Sequence, residues 1–176
     1  KGNGNEVFDA SQNTFPKLFH QSGYQTAMIG KWHLVSDPTG FDFWNILPGQ
    51  GDYYNPGFID SNGTKTITGY VTDITTDKAI TWLDNRDTSQ PFCMLVWNKG
   101  PHRDWMPALK YLSEFDSVNI PVPATFFDDY NTRTRAAHEQ KMQVSKWLAP
   151  NYDLKENFNV TEPYQRLDES WKNIFG

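Results

Sequence analysis

Cysteine is nearly absent from this chain, and that excludes an internal disulfide framework. The single Cys93 lies in Pro91-Phe92-Cys93-Met94-Leu95-Val96-Trp97, where it reads as a small core hydrophobe. No apolar run approaches the roughly 20 residues that a membrane-spanning helix needs, so no membrane span is expected. Lys and Arg are scattered, not clustered, and the net charge is −5, which argues against nucleic acid as a partner. Internal repeats and low-complexity tracts are missing. No signal peptide is visible, and the sequence starts at Lys1, which leaves room for a leader upstream.

What is present fits one domain. The 176 residues are enough to bury a sizeable core. Aromatics make up 15% of them, with Trp and Tyr in the majority. Such side chains suit the C–H faces of sugar rings, and they equally serve to bury area in a core. Ser11 to Ser22 reads as a helix, with Thr14 to cap it, Pro16 early and Gly23 to stop it. Tyr24 to Ile29 reads as a strand. Gly40 to Pro56 reads as a long irregular aromatic loop, of the kind that usually carries function. Phe58 to Asp60 and Thr64 to Thr68 flank Asn62-Gly63 and predict a hairpin. Thr72 or Asp73 opens a helix to about Asn85, with Ile74, Ile80 and Leu83 inward. The apolar run from Pro91 to Trp97 predicts a strand covered on both faces, as in a parallel sheet. Pro107 to Phe115 reads as a short helix, and Ile120 to Pro123 as extended. Asp128 to Trp147 reads as a long polar helix, and Ala149 to Gly176 as loop-rich. The fold class is α/β: part of a mixed, mostly parallel sheet flanked by helices, and incomplete.

Two predicted strand ends carry ionisable groups. Lys31 and His33 follow the first strand, and His102 follows the second. Open α/β sheets bind ligands outside the carboxyl ends of their strands, so these groups are expected to converge on one rim. Alternate residues of an extended segment share a face, so Lys31 and His33 can point at the same small anion. A lysine supplies a point charge and a histidine a donor for a sulfate or phosphate oxygen. A histidine beside such an ester can also protonate the departing oxygen. The alternative for His33 is a structural histidine, and for His102 a turn residue after Pro101. His20 and His138 have no chemical partner nearby in sequence and read as structural.

The segment Gly23-Tyr24-Gln25-Thr26-Ala27-Met28-Ile29-Gly30-Lys31-Trp32-His33 resembles the second signature of the type I sulfatases, G-Y-x-T-x-x-I-G-K-W-H, at every defined position. Lys99-Gly100-Pro101-His102-Arg103-Asp104-Trp105 resembles the K-A-P-H-x-x-W stretch of the same family, with Gly in place of Ala. The resemblance extends over Gly49-Gln50-Gly51-Asp52-Tyr53-Tyr54-Asn55-Pro56 and over Phe126 to Tyr130. These stretches are similar to bacterial enzymes that remove 6-O-sulfate from N-acetylglucosamine in host or matrix glycans.

The resemblance implies an alkaline phosphatase-like fold and sulfuric ester hydrolysis. It implies catalytic roles for Lys31, His33 and His102. Lys31 then holds a sulfate or bridging oxygen, His102 with Lys31 helps the alcohol leave, and His33 assists release of the sulfate. Trp44, Gln50, Asp52, Tyr53, Asn55 and Arg103 are candidate sugar contacts, with ordinary loop packing as the alternative.

The family also uses Ca²⁺ and a formylglycine made from Cys or Ser in C/S-x-P-x-R. That motif does not occur here, and Cys93 lies in an apolar strand instead. Asp128-Asp129 does not assemble the roughly six to eight oxygens that calcium takes, so no metal ligand is assigned. The chain therefore reads as the central part of a sulfatase catalytic domain. The nucleophile strand is expected upstream, and the last metal-binding strand and a further Lys downstream. Alone, the segment is expected to be inactive. A phosphoesterase of the same superfamily and a non-catalytic glycan-binding module are the rival readings. The expected substrate class places the protein in the periplasm or outside the cell. Asn62-Gly63-Thr64 and Asn159-Val160-Thr161 match the glycosylation triplet, which has no meaning in a bacterial protein.

Overall fold

The computed structural model describes residues 6–103, 105–141, 148 and 153. They fall into two compact units, residues 6–102 and the described residues from 103 onward.

The first unit is built on a five-stranded sheet. In chain order it has α1 (Phe15–Gln21), β1 (Gln25–Trp32), β2 (Phe43–Pro48), β3 (Gly57–Asp60), β4 (Gly63–Thr66), α2 (Val71–Asn85) and β5 (Phe92–Trp97). The sheet order is β4-β3-β2-β1-β5. β1 runs parallel to both neighbours, with Ala27 opposite Phe43 on one side and Met94 on the other. β3 and β4 add an antiparallel hairpin beside β2. The sheet is thus mixed, its parallel part centred on β1.

Burial explains why β1 lies between two parallel neighbours. Thr26 to Ile29 are fully buried, a continuous run that needs cover on both faces. Met28, Trp32 and Ile46 form one cluster, joined by Leu34, Phe41, Trp44, Ile59 and Leu95. α2 buries Val71, Thr75 and Ala79, which recur at i, i+4 and i+8 along one helix face.

Several expectations change. α1 begins at Phe15, because Asp9 first closes a turn by accepting from the backbone and hydroxyl of Ser11. Thr14 caps α1 with its backbone position alone, with no side-chain bond. The stretch read as one long loop contains β2, whose Asn45, Ile46 and Leu47 are buried between β1 and β3. Its short apolar run was hidden between aromatic and Pro/Gly-rich flanks. On α2, Ile80 faces outward at 51% exposed, while Thr75 and Ala79 take the inner stripe. β5 is only half-buried, since among the described residues it pairs with β1 alone and forms an edge of the sheet. In the hairpin, Ser61 and Asn62 make the turn, and Asp60 accepts from the Asn62 backbone at 2.8 Å.

The described residues of the second unit carry little regular structure. A 3₁₀ turn spans Leu109–Tyr111 and a short helix α3 spans Arg135–His138. The long helix expected from Asp128 is absent over residues 128–134. Asp128 instead accepts from the Tyr130 backbone and from Arg133, and Asp129 accepts from Asn131, folding this stretch into turns. The expected continuation to Trp147 and the loop-rich end from Ala149 lie outside the described residues, apart from Leu148 and Asp153.

Candidate functional site at the carboxyl ends of β1 and β5

β1 does not stop at its glycine. It passes through Gly30 with φ +107°, a backbone state open to glycine and strained for other residues. A Cβ there would stand 2.0 Å from the Trp97 carbonyl oxygen. Gly30 therefore lets the ends of β1 and β5 approach each other at the rim. Beyond it, Trp32 turns inward. Its indole stacks on Trp97 at 5.9 Å between ring centres and donates to the Ser36 carbonyl at 2.6 Å. Alternation then leaves Lys31 and His33 flanking the buried Trp32, both half-buried.

Lys31 has a defined orientation. Its ammonium donates to Gln50 Oε1 at 2.7 Å, in the loop that follows β2. Partial burial pushes its pKa below the ordinary lysine value. The His33 imidazole makes no hydrogen bond to any described residue. His102 lies past the end of β5 with an exposed side chain. Its backbone is fixed from two sides: its N–H donates to the Lys99 carbonyl at 3.0 Å, and its carbonyl accepts from the Tyr53 hydroxyl at 2.7 Å.

One loop therefore touches both strand ends. Residues between Pro48 and Tyr54 reach Lys31 through Gln50 and His102 through Tyr53. Lys31, Gln50, Tyr53 and His102 are brought together in this way, and exposed Asp52 lies within the same loop.

The remaining expected sugar contacts have other roles. Trp44 sits near the start of β2, opposite Met28, and packs on the hydrophobic cluster. It lies about 13 Å before the strand end, at about 3.3 Å per residue, so it does not reach the rim. Tyr53 is 2% exposed, and its hydroxyl is spent on the His102 backbone, so it supports the site from beneath. Asn55 has φ +49°, and its side-chain oxygen accepts from the Gly69 N–H at 2.9 Å while its own N–H donates to the Gly69 carbonyl. It is a clamp between chain segments. Arg103 belongs to the second unit, where its Nε and Nη2 donate to the two carboxylate oxygens of buried Asp153 at 2.5 and 2.7 Å. Lys99, quoted above only as part of a motif, is the residue that sequence reasoning left without a role. Its side chain is buried beneath the same loop.

No metal set emerges among the described residues: no three His, Cys, Asp or Glu side chains are grouped. The Asp128 carboxylate is engaged by Arg133, whose hydrogen bond holds it below the usual carboxylate range. Cys93 pairs across from Thr26 near the amino end of β5, far from the rim. The described residues thus do not fit a calcium site, and none is placed to become the nucleophile.

The family model described as Sulfatase matches residues 3–167. The chain belongs to the sulfatase family. The N-acetylglucosamine-6-O-sulfatase of Bacteroides thetaiotaomicron is 54% identical over 152 residues, covering 85% of this chain and 27% of that sulfatase. The N-acetylglucosamine-6-sulfatase of Bos taurus is 30% identical, covering 62% of this chain and 22% of its own length. The chain thus spans about a quarter of the length of these sulfatases. Among solved structures, BT4656 in complex with its substrate D-glucosamine-2-N,6-O-disulfate superposes with a TM-score of 0.77 at 46% identity. That match covers 97% of this chain and 37% of the other. Ps i-CgsB in complex with k-i-k-neocarrahexaose matches at a TM-score of 0.57 and 19% identity over 66% of this chain and 33% of that one, a likeness of fold alone.

Proposed function

We propose that this chain is the central part of a sulfatase catalytic domain, and that the protein carrying it removes 6-O-sulfate from N-acetylglucosamine in glycans. The observation that carries the reading is the Lys31 ammonium, held by Gln50 at the end of β1, with His33 beside it and His102 past the adjoining strand β5. The 54% identity to the Bacteroides thetaiotaomicron enzyme supports the choice of sugar and position.

In this reading Lys31 binds an oxygen of the sulfate or the bridging oxygen, and its charge offsets the negative charge that grows on the bridging oxygen during S–O cleavage. His102 delivers a proton to the bridging oxygen as the alcohol leaves. His33 assists departure of the sulfate. Gln50 and Asp52, at the outer face of the loop, contact the sugar. No step is assigned to calcium or to formylglycine, because the described residues supply neither. The nucleophile strand and the last metal-binding strand are proposed to lie before and after this segment in the full-length protein. The protein acts in the periplasm or outside the cell, where sulfated glycans occur. A phosphoesterase role is disfavoured by the sulfatase family match over residues 3–167.

The test is sulfate release from 6-O-sulfated N-acetylglucosamine by the full-length protein, compared with Lys31→Met. Release by the wild type, lowered at least about 10²-fold in the variant, supports the reading. A full-length protein that hydrolyses phosphate esters in preference, or that binds the sugar equally well without sulfate or Lys31, contradicts it.

A further inference from the structure

A lysine quoted in a motif but given no role lies where two lines of contact meet. Lys99 follows β5 and is 5% exposed. Lysine is among the side chains least often buried, because its ammonium must keep hydrogen-bond partners. Here Nζ donates to the Gln50 carbonyl at 3.1 Å and lies 4.5 Å from the centre of the Tyr53 ring. Each contact leads to one group of the site. Gln50 continues to Lys31 through its side-chain oxygen at 2.7 Å. Tyr53 continues to the His102 backbone through its hydroxyl at 2.7 Å. The Lys99 carbonyl also accepts from the His102 N–H at 3.0 Å, which closes the turn that presents the imidazole.

We propose that Lys99 is a positioning residue that joins the loop after β2 to the turn after β5. In doing so it sets where Lys31 and His102 stand relative to each other. The geometric part of the inference needs no catalytic assumption, whereas its effect on turnover rests on the sulfatase reading above. A neutral side chain of similar length leaves the Gln50 carbonyl without this donor and removes the cation from the Tyr53 face. A charge-assisted bond and a cation–π contact are lost together. The loop then relaxes, and the two reacting groups lose their common reference. Gln50 Oε1 stays within reach of Lys31 only while its backbone is held.

The test is Lys99→Met in the full-length protein, with two readouts. Steady-state kinetics on 6-O-sulfated N-acetylglucosamine are expected to show kcat falling about 10²-fold while KM moves by no more than about threefold, because misplacement costs the transition state more than the ground state. Nitrogen-15 NMR of the His102 ring and the Lys31 ammonium is expected to show both signals displaced. A kcat near that of the wild type in a variant that merely melts earlier makes Lys99 a structural residue and overturns the proposal. If the wild type releases no sulfate, the functional reading fails, and the NMR comparison alone decides: unmoved signals overturn the positioning role. Lys99→Gln, shorter and still polar, carries the same expectations should the methionine variant fail to fold.

Discussion

Replacing Gly30 with alanine places a Cβ 2.0 Å from the Trp97 carbonyl oxygen and 2.8 Å from its carbon. Ordinary carbon–oxygen contact begins near 3.3 Å, so one strand end must retreat by about 1.3 Å. Both partners are backbone in paired strands, and neither can rotate away as a side chain does. Gly63 is the natural control, because its φ of +114° resembles the +107° of Gly30 while a Cβ there meets nothing within 4 Å. Both alanines carry the dihedral strain, about 1–2 kcal/mol. Only Gly30→Ala adds overpacking of about 1–3 kcal/mol and a weakened ladder bond of about 1 kcal/mol. The expected difference between the two variants is therefore about 2–4 kcal/mol by urea denaturation followed through tryptophan fluorescence. Trp97 also leads into the Lys99–His102 turn, so Gly30→Ala is expected to lower sulfate release at least about tenfold per folded molecule while Gly63→Ala leaves it unchanged. Equal destabilisation by both alanines refutes the close approach of β1 and β5 at the rim.

Tyr53→Phe keeps the ring under Lys99 and removes the donor to His102; about 1 kcal/mol of stability and a measurable fall in kcat are expected, read by thermal melts and kinetics. Lys31 loses its charge at lower pH than an exposed lysine, so the alkaline limb of kcat/KM is expected below the ordinary lysine range, and a limb at or above that range contradicts its assignment. Burial alone raises the Asp42 carboxyl, but bonds from the Thr26 N–H and hydroxyl and the nearby His20 outweigh it and hold its pKa below normal. A depressed folded-state pKa gives stability that is present above the unfolded value, about 3.9, and lost as pH falls through the folded one. Asp42→Asn should therefore melt earlier than wild type at neutral pH, and the gap should close below about pH 4. Arg103→Met strips buried Asp153 of its paired donors; a loss of about 2–4 kcal/mol with KM for the sugar unchanged is expected, and a raised KM in a fully stable protein would instead make Arg103 a sugar contact.

Lys31, His33 and His102 stand out in the sequence because they follow strong strand signals, and the structure places them at the ends of β1 and β5 as those signals imply. β1 and β5 are readable as apolar runs and pair in parallel as expected, but only β1 has the cover on both faces that such a run implies, β5 being a half-buried edge. β2 escaped notice because its buried Asn45-Ile46-Leu47 is too short to stand out between Phe43-Trp44 and Pro48-Gly49. That omission misdirected the sugar contacts. With β2 unseen, Trp44, Tyr53 and Asn55 all looked like loop residues facing substrate. The first packs on the core, the second holds His102, and the third clasps Gly69. Lys99 gave no signal beyond its place in a motif, since burial of a lysine depends on partners nearly fifty residues away in the chain. The polar stretch from Asp128 looked helical by composition, yet local bonds from Asp128 and Asp129 favour turns over a helix.

The most direct measurement is sulfate release from 6-O-sulfated N-acetylglucosamine by the full-length protein, with Lys31→Met and His102→Ala alongside. Release by the wild type is expected, with losses of about 10² or more in each variant and both variants folded. Release that survives both substitutions, or a folded wild type that binds the sugar and never frees its sulfate, contradicts the claim that the carboxyl ends of β1 and β5 form a sulfatase site.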